Sequence, residues 1–279
     1  MQKIKTQKTL RQIALHLICI LLSALFCFPF VYMVLTSFQP TNDAIFALPP
    51  KLFPETFAFS NYSYAFKEME FPRAFGNTML ILVTATALNM CGSTCVAYGF
   101  SRFNAKGKGI AWTVLMATMM LPWVVTMVPA FVIFKFLGWI GTRLPLIIPA
   151  FGGSAYNIFM LRQFMMGIPR DLDEAAKIDG CSSVGILIKI LMPNMMPVFA
   201  TLFIFLFTSI WSDYLAPSIY LVKKEQHTLS LALYNLRTAY AVDWKSTMAG
   251  SAMFAIPMVI VLFAMQRFFV EGIVVTGIK

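Results

Sequence analysis

The chain has 279 residues, 59% of them hydrophobic and only 12% charged, with a formal net charge of +10. Soluble globular domains carry about 25% charged residues, so this composition excludes an ordinary soluble protein and points to lipid as the solvent. Nor does the basic balance indicate nucleic acid, because no segment interleaves Lys and Arg with exposed aromatics.

The N-terminus carries Lys3, Lys5, Lys8 and Arg11, and an apolar run follows from Ile13 to about Thr36. That order of charge and apolar run matches a secretory signal. The run is too long for a signal core of about 7–15 residues and lacks a small-x-small cleavage site, so it reads as an uncleaved first span. A helix crossing the bilayer core needs about 20 mostly apolar residues. Five further stretches meet that length: 76–100, 110–136, 145–166, 197–222 and 247–269. They are predicted as helices, since backbone groups left unpaired in lipid are too costly. Pro122 and Pro129 are expected to kink the third stretch.

With six spans both ends lie on one side. The segments 1–12, 101–109, 162–196 and 267–279 on that side hold four, three, four and two of the 22 Lys and Arg. Cytoplasmic loops attract such charge, so both termini are predicted cytoplasmic. The outer segments are then 37–75, 137–144 and 223–246. Cys19, Cys27, Cys91 and Cys95 lie in apolar runs and are expected to pack as small hydrophobes.

The 31 residues from Gly167 to Pro197 read GIPRDLDEAAKIDGCSSVGILIKILMPNMMP. Pro169 suits the first turn of a helix. Asp171, Asp173 and Glu174 suit the positive end of its dipole. Gly180 supplies a left-handed stop. The product is a helix of about ten residues, marginal alone and stable only when docked. Leu172, Ala175, Ala176 and Asp179 fall on one face by their spacing. Glu174 and Lys177 are positioned to pair at i, i+3. Ser182 or Ser183 is predicted to cap a second helix that runs through Ile190 to Pro193.

The order Glu174-Ala175-Ala176, Gly180, Ile190, Pro193 resembles the EAA loop of ABC importer permeases, with Met192 where many relatives have Leu. The likeness extends along nearly the whole chain. Arg162-Gln163-Phe164, Trp211 to Pro217 and the tail from Gln266 resemble carbohydrate-type permeases, of the MalG-type subunit of maltose systems.

The resemblance implies an all-α membrane protein of the type I importer fold: six transmembrane helices and a cytoplasmic coupling-helix loop in one domain, 1–279. It implies that Glu174, Ala175, Ala176, Asp179, Gly180, Ile190 and Pro193 couple the chain to an ATPase. It places Leu229, Tyr234 and Asn235 in a loop that meets a sugar-binding protein, and Gly277 and Lys279 in a tail at the ATPase interface. The implied partners are a second homologous permease, two ATP-binding subunits and an extracytoplasmic solute-binding protein. The setting is a prokaryotic cytoplasmic membrane. ATP and Mg belong to the partner subunit, and no cofactor or metal is expected in this chain.

No GxxxxGK[ST] phosphate loop occurs: Arg102 stands where the first Gly of a Gly107-Lys108 motif belongs, and Gly109 replaces the Ser/Thr. His16 and His227 lie in unrelated segments, and no catalytic constellation is visible. Asp213 is the one clear intramembrane acid, with Asn89 and Asn157 as polar companions. Such groups mark function or helix pairing; these three line a translocation path or bond neighbouring helices. Scarce intramembrane carboxylates argue against an ion-coupled carrier. The EAA loop alone leaves sugar, peptide, amino-acid and polyamine cargo open, and the carbohydrate reading rests on the resemblance.

Overall fold

The computed structural model describes residues 2–47, 51–238 and 243–276, and every regular element among them is helical. The long apolar helices are α1 (Gln2–Ser37), α3 (Phe71–Arg102) and α12 (Trp244–Thr276), with the short α2 (Ser60–Glu68) before α3. Next come α4 (Lys108–Thr118), α5 (Trp123–Phe136), α6 (Ala155–Gly167) and α7 (Asp171–Ile178). After α7 lie α8 (Ser183–Ile186), α9 (Met196–Ser212), α10 (Leu215–Tyr220) and α11 (Leu229–Thr238).

Four stretches are long and apolar enough to cross a membrane: Arg11–Ser37, Phe71–Arg102, Leu144–Gly167 and Trp244–Gln266. Two bent pairs pass the same test, one of α4 with α5 and one of Ser183–Asn194 with α9, so the count reaches six if each pair is one crossing.

Three expected spans differ from the sequence reading, and one of them, 145–166, is divided by a 3₁₀ turn over Ile148–Gly152 before α6 begins at Ala155. The stretch 110–136 is broken rather than kinked, with α4 and α5 meeting at 100°. Pro122 is the cause: it is extended (φ −60°, ψ 135°) and pushes the residue before it out of the helical region. The stretch 197–222 ends as a regular helix at Ser212, because Asp213 turns extended and its carboxylate caps the next helix.

Contacts divide the described residues into two compact units, one within 1–69 and 233–256, the other within 70–232 and 257–279. In the first, Asn61 Nδ2 donates to the carbonyls of Ser37 and Gln39, both at 2.9 Å, which fixes the chain reversal after α1. Phe38 packs against Phe57, Phe59 and Tyr62 beside that reversal.

The second unit is built around α3. Apart from Ile81 and Leu82, its buried face is made of small and polar residues, including Ala74, Ala85, Gly92, Ser93 and Ala97. Lipid provides no hydrophobic drive between helices, so small residues that allow close backbone approach hold such bundles together. A Cβ at Gly92 would strike the Phe151 carbonyl oxygen. A Cβ at Gly153, which has φ +73°, would crowd Ser93. Cys19, Cys27, Cys91 and Cys95 are all exposed, so the expected packing does not occur within this chain: they face outward, where a small hydrophobe meets lipid or another subunit.

Gly92→Ala is expected to cost about 1–3 kcal/mol through overpacking against backbone that cannot yield. Gly99→Ala has open space around its Cβ and should be tolerated. Thermal unfolding midpoints of the two variants in detergent test the contrast.

Candidate functional site

The short helix α7 begins after Arg170 with Asp171, Asp173 and Glu174 in its first turn. Its end is closed by two bonds: Gly180 N–H donates to Lys177 O (3.0 Å), and Cys181 N–H donates to Ala176 O (2.8 Å). This is a Schellman closure, which needs a left-handed residue, and Gly180 has φ +79°. Ser182 then caps α8 by accepting from Gly185 N–H at 3.2 Å. Past α8 the helix widens into a π turn over Leu187–Leu191. Pro193 has no N–H to donate to the preceding turn, and separately Asn194 Nδ2 donates to Ile190 O at 2.7 Å.

What holds α7 in place is a pairing that the sequence reading does not contain. Arg102, in the last turn of α3, brings Nε within 2.7 Å of Asp173 Oδ2. Only 7% of the Arg102 side chain and 10% of the Asp173 side chain are exposed. The approach is an ion contact rather than an aligned hydrogen bond, and Asp173 Oδ1 is buried with no hydrogen-bond partner. Arg102 Nη2 also donates to Ile168 O (3.0 Å).

Further bonds bind the same corner. Arg162 Nε donates to Phe100 O (3.2 Å), and Arg170 Nη2 donates to Ser101 O (3.2 Å). These are carbonyls in the last turn of α3, which have no intrahelical donor and attract cations. Tyr98 hydroxyl donates to Ser183 O (3.0 Å). Beneath this polar layer Ala97, Leu161, Met165, Ala176, Ile186 and Leu191 form a buried apolar cluster. Arg102 is thus no solvated loop charge, and Asp173 does more than complement a dipole. The sequence carried a signal for it: Asp173 lies one turn from Ala176, on the face that is buried.

The predicted coupling residues divide by exposure. Glu174, Ala175, Asp179, Gly180 and Pro193 are exposed, Ile190 is half-buried and Ala176 is buried. The expected face of Leu172, Ala175 and Asp179 is therefore open, with Ala176 turned into the bundle. Ile178 is 87% exposed. Among the described residues no ion pair joins Glu174 to Lys177, which leaves the Glu174 carboxylate outward.

The predicted polar residues fall into two separate places. Asn157 Nδ2 donates to Asn89 Oδ1 at 2.7 Å, and Ser93 Oγ donates to the same oxygen at 3.2 Å. Both asparagines are buried, at 8% and 3% exposure, so this pair clamps α3 to α6. Asp213 lies elsewhere: its Oδ1 accepts from Leu215 N–H (3.0 Å) and Ala216 N–H (3.1 Å). It borders a cavity of about 50 Å³ lined also by Thr78, Ile81, Leu146, Ile210, Pro217 and Thr228.

Of the predicted binding-protein loop, Leu229 is fully buried, whereas Tyr234 and Asn235 are exposed. Leu229 therefore anchors α11 and presents no surface. Near it, burial and then the charge of Lys224 hold His227 below the usual imidazole range, which keeps it neutral. Gly277 and Lys279 lie outside the described residues. Among the described residues no three of His, Cys, Asp and Glu stand close enough to hold a metal ion.

Asp173→Ala should free α7 from α3, because a buried charge left alone costs about 3–5 kcal/mol. The double variant Arg102→Met/Asp173→Leu, which removes both charges, should recover most of that loss. Hydrogen exchange of the 171–178 amides is the measurement, with fast exchange in the single variant only.

A family model described as the binding-protein-dependent transport system inner membrane component matches residues 89–275. The arabinooligosaccharides transport system permease protein AraQ of Bacillus subtilis (strain 168) is 30% identical over 275 residues, covering 98% of each chain. The lactose transport system permease protein LacG of Rhizobium radiobacter is 32% identical and covers 88% of each. A solved bacterial ABC transporter involved in the import of the acidic polysaccharide alginate is similar in fold, with a TM-score of 0.81 at 22% identity. That similarity covers 92% of this chain and 95% of the solved one. By the family match and these full-length relatives, the chain belongs to the inner membrane components of binding-protein-dependent transport systems.

Proposed function

We propose that this chain is a permease subunit of an ATP-driven importer for a sugar or oligosaccharide, and that α7 is its docking point for a separate ATP-hydrolysing subunit. The observation that carries the reading is a helix of eight residues, too short to persist alone, held against the bundle by buried polar contacts while Glu174, Ala175 and Ile178 face outward. A helix so arranged has one face for its own chain and one for a partner. The small Ala175 lets a partner's surface approach closely, and the Glu174 carboxylate offers it a charged contact.

The cargo follows from the relatives: their names specify arabinooligosaccharides and lactose, and the match to each covers most of both chains. A neighbour in fold was solved with a periplasmic protein that carries an alginate pentasaccharide. By analogy, a second permease, two ATPase copies and an extracytoplasmic binding protein complete the complex. ATP and Mg then act in the ATPase, and this chain supplies the passage and the mechanical link. We place both termini, and α7 with them, on the cytoplasmic side, which the concentration of Lys and Arg in 1–12, 101–109 and 162–196 supports.

ATPase closure draws docked helices together and turns the attached spans. Packed elements switch between discrete arrangements, so a rigidly held helix transmits such motion. Glu174→Lys reverses the charge offered to the ATPase, and Gly180→Asp places a side chain at φ +79°, which strains the helix end. Both variants are expected to lower uptake at least tenfold per ATP hydrolysed in proteoliposomes. Normal uptake by both would contradict the docking role. A purified complex without any ATPase, driven by an ion gradient, would contradict the importer reading itself.

A further inference from the structure

The contacts at α7 involve one end of α3, and the other end of α3 makes an equally specific set. Asn77 is buried and uses its whole amide. Its Nδ2 donates to the carbonyls of Glu225 (2.8 Å) and His227 (3.0 Å), and its Oδ1 accepts from Arg143 Nη2 (2.6 Å). Next to it, Thr78 Oγ1 accepts from Leu229 N–H (2.8 Å) and donates back to Ala74 O (2.9 Å). Glu70, just before α3, adds an exposed ion pair to Lys224 at 3.7 Å. One turn of α3 therefore satisfies backbone groups at 225, 227 and 229, the segment that leads into α11.

Between the two contact sets α3 runs without a break. It has no proline past its first turn, and the stretch from Asn77 to Arg102 measures about 37 Å at roughly 1.5 Å per residue. That exceeds a hydrocarbon core of about 30 Å, so the two contact sets lie at opposite faces of the membrane. Three other apolar segments of this unit are interrupted. α4 and α5 meet at 100°, the segment entering α9 bends by 80°, and the stretch before α6 contains a 3₁₀ turn and a left-handed Gly153.

Resting on the permease reading above, we propose that α3 is the rigid connector between the two partner sites. It ties the ATPase-docking helix at its Arg102 end to the binding-protein loop at its Phe71 end, with Asn77 and Thr78 as positioning residues. A signal from a loaded binding protein reaches α7 as a displacement of one helix, with no relay through the bent spans. Asn77 and Thr78 touch neither ATPase nor cargo in this account. They act by fixing residues 225–229 to the rod.

The test uses the complete complex in lipid nanodiscs, with the binding protein loaded with the sugar it carries. Three variants are compared with the wild type. Asn77→Asp keeps the shape but loses both donors, and Thr78→Val keeps the shape but loses the acceptor for Leu229. Val83→Gly/Ala87→Gly alters two exposed residues of α3 and softens the rod without touching either contact set. A spin label at Val184, which is 64% exposed in α8 just past α7 and outside the face offered to the ATPase, reports the movement of this corner.

Each variant is expected to lose about tenfold in stimulation of ATP hydrolysis by the loaded binding protein, within the usual range of coupling between sites. The label response to binding protein should disappear as well, while basal hydrolysis and copurification with the ATPase stay at wild-type level. Full stimulation in the softened variant would overturn the connector role. A parallel fall in basal hydrolysis would overturn it too, since that marks a general structural defect. Failure of the permease reading has a different signature: no ATPase would accompany even the wild-type chain.

Discussion

The buried contact between Arg102 and Asp173 is the constraint on which the site depends. α7 has eight residues, and an isolated helix of that length does not persist in water. Apolar burial contributes little, because only Ala176 of its hydrophobic residues is buried. Its position is set by charge: an arginine at the end of a span and an aspartate in the first turn, each largely removed from solvent. Such pairs are weak sources of net stability. Here the pair supplies a fixed location, and the neighbouring arginines extend it. Arg162 and Arg170 each satisfy a carbonyl at the end of α3, so the helix end and α7 share one polar layer.

The same logic explains where polar groups sit along the bundle. Asn89 and Asn157 are companions of one another and not of Asp213, since their bond joins two spans across the face of α3 that carries Gly92 and Ser93. Asp213 ends a helix, and one oxygen of its carboxylate accepts from the N–H groups of Leu215 and Ala216. Intramembrane polar residues here solve backbone and packing problems within the chain. The broad exposed apolar surface, by contrast, belongs to contacts with lipid and with other subunits.

Much of the architecture was legible in the sequence because its signals are local. Apolar length marked the helices, Gly180 marked the end of α7, and Ser182 or Ser183 marked the start of α8, where Ser182 is the cap. The unread part depends on long-range partners. Nothing local shows that Asp173 meets a residue 71 positions earlier, or that Asn77 bonds Glu225 and His227. Burial also shifted by one position: spacing favoured Leu172, Ala175, Ala176 and Asp179 as the working face, whereas the bundle takes Asp173 and Ala176 and leaves the others open. The break at Pro122 exceeded a kink because α5 starts afresh there, with its own first turn.

The central claim is that α7 faces the cytoplasm and is covered by an ATPase. It is tested most directly by placing one cysteine at Ile178 in a chain whose five native cysteines are replaced. A membrane-impermeant maleimide should fail to label intact cells, should label inside-out vesicles stripped of ATPase, and should be blocked when the ATPase is restored. Labelling of intact cells, or labelling unaffected by the ATPase, would contradict the account.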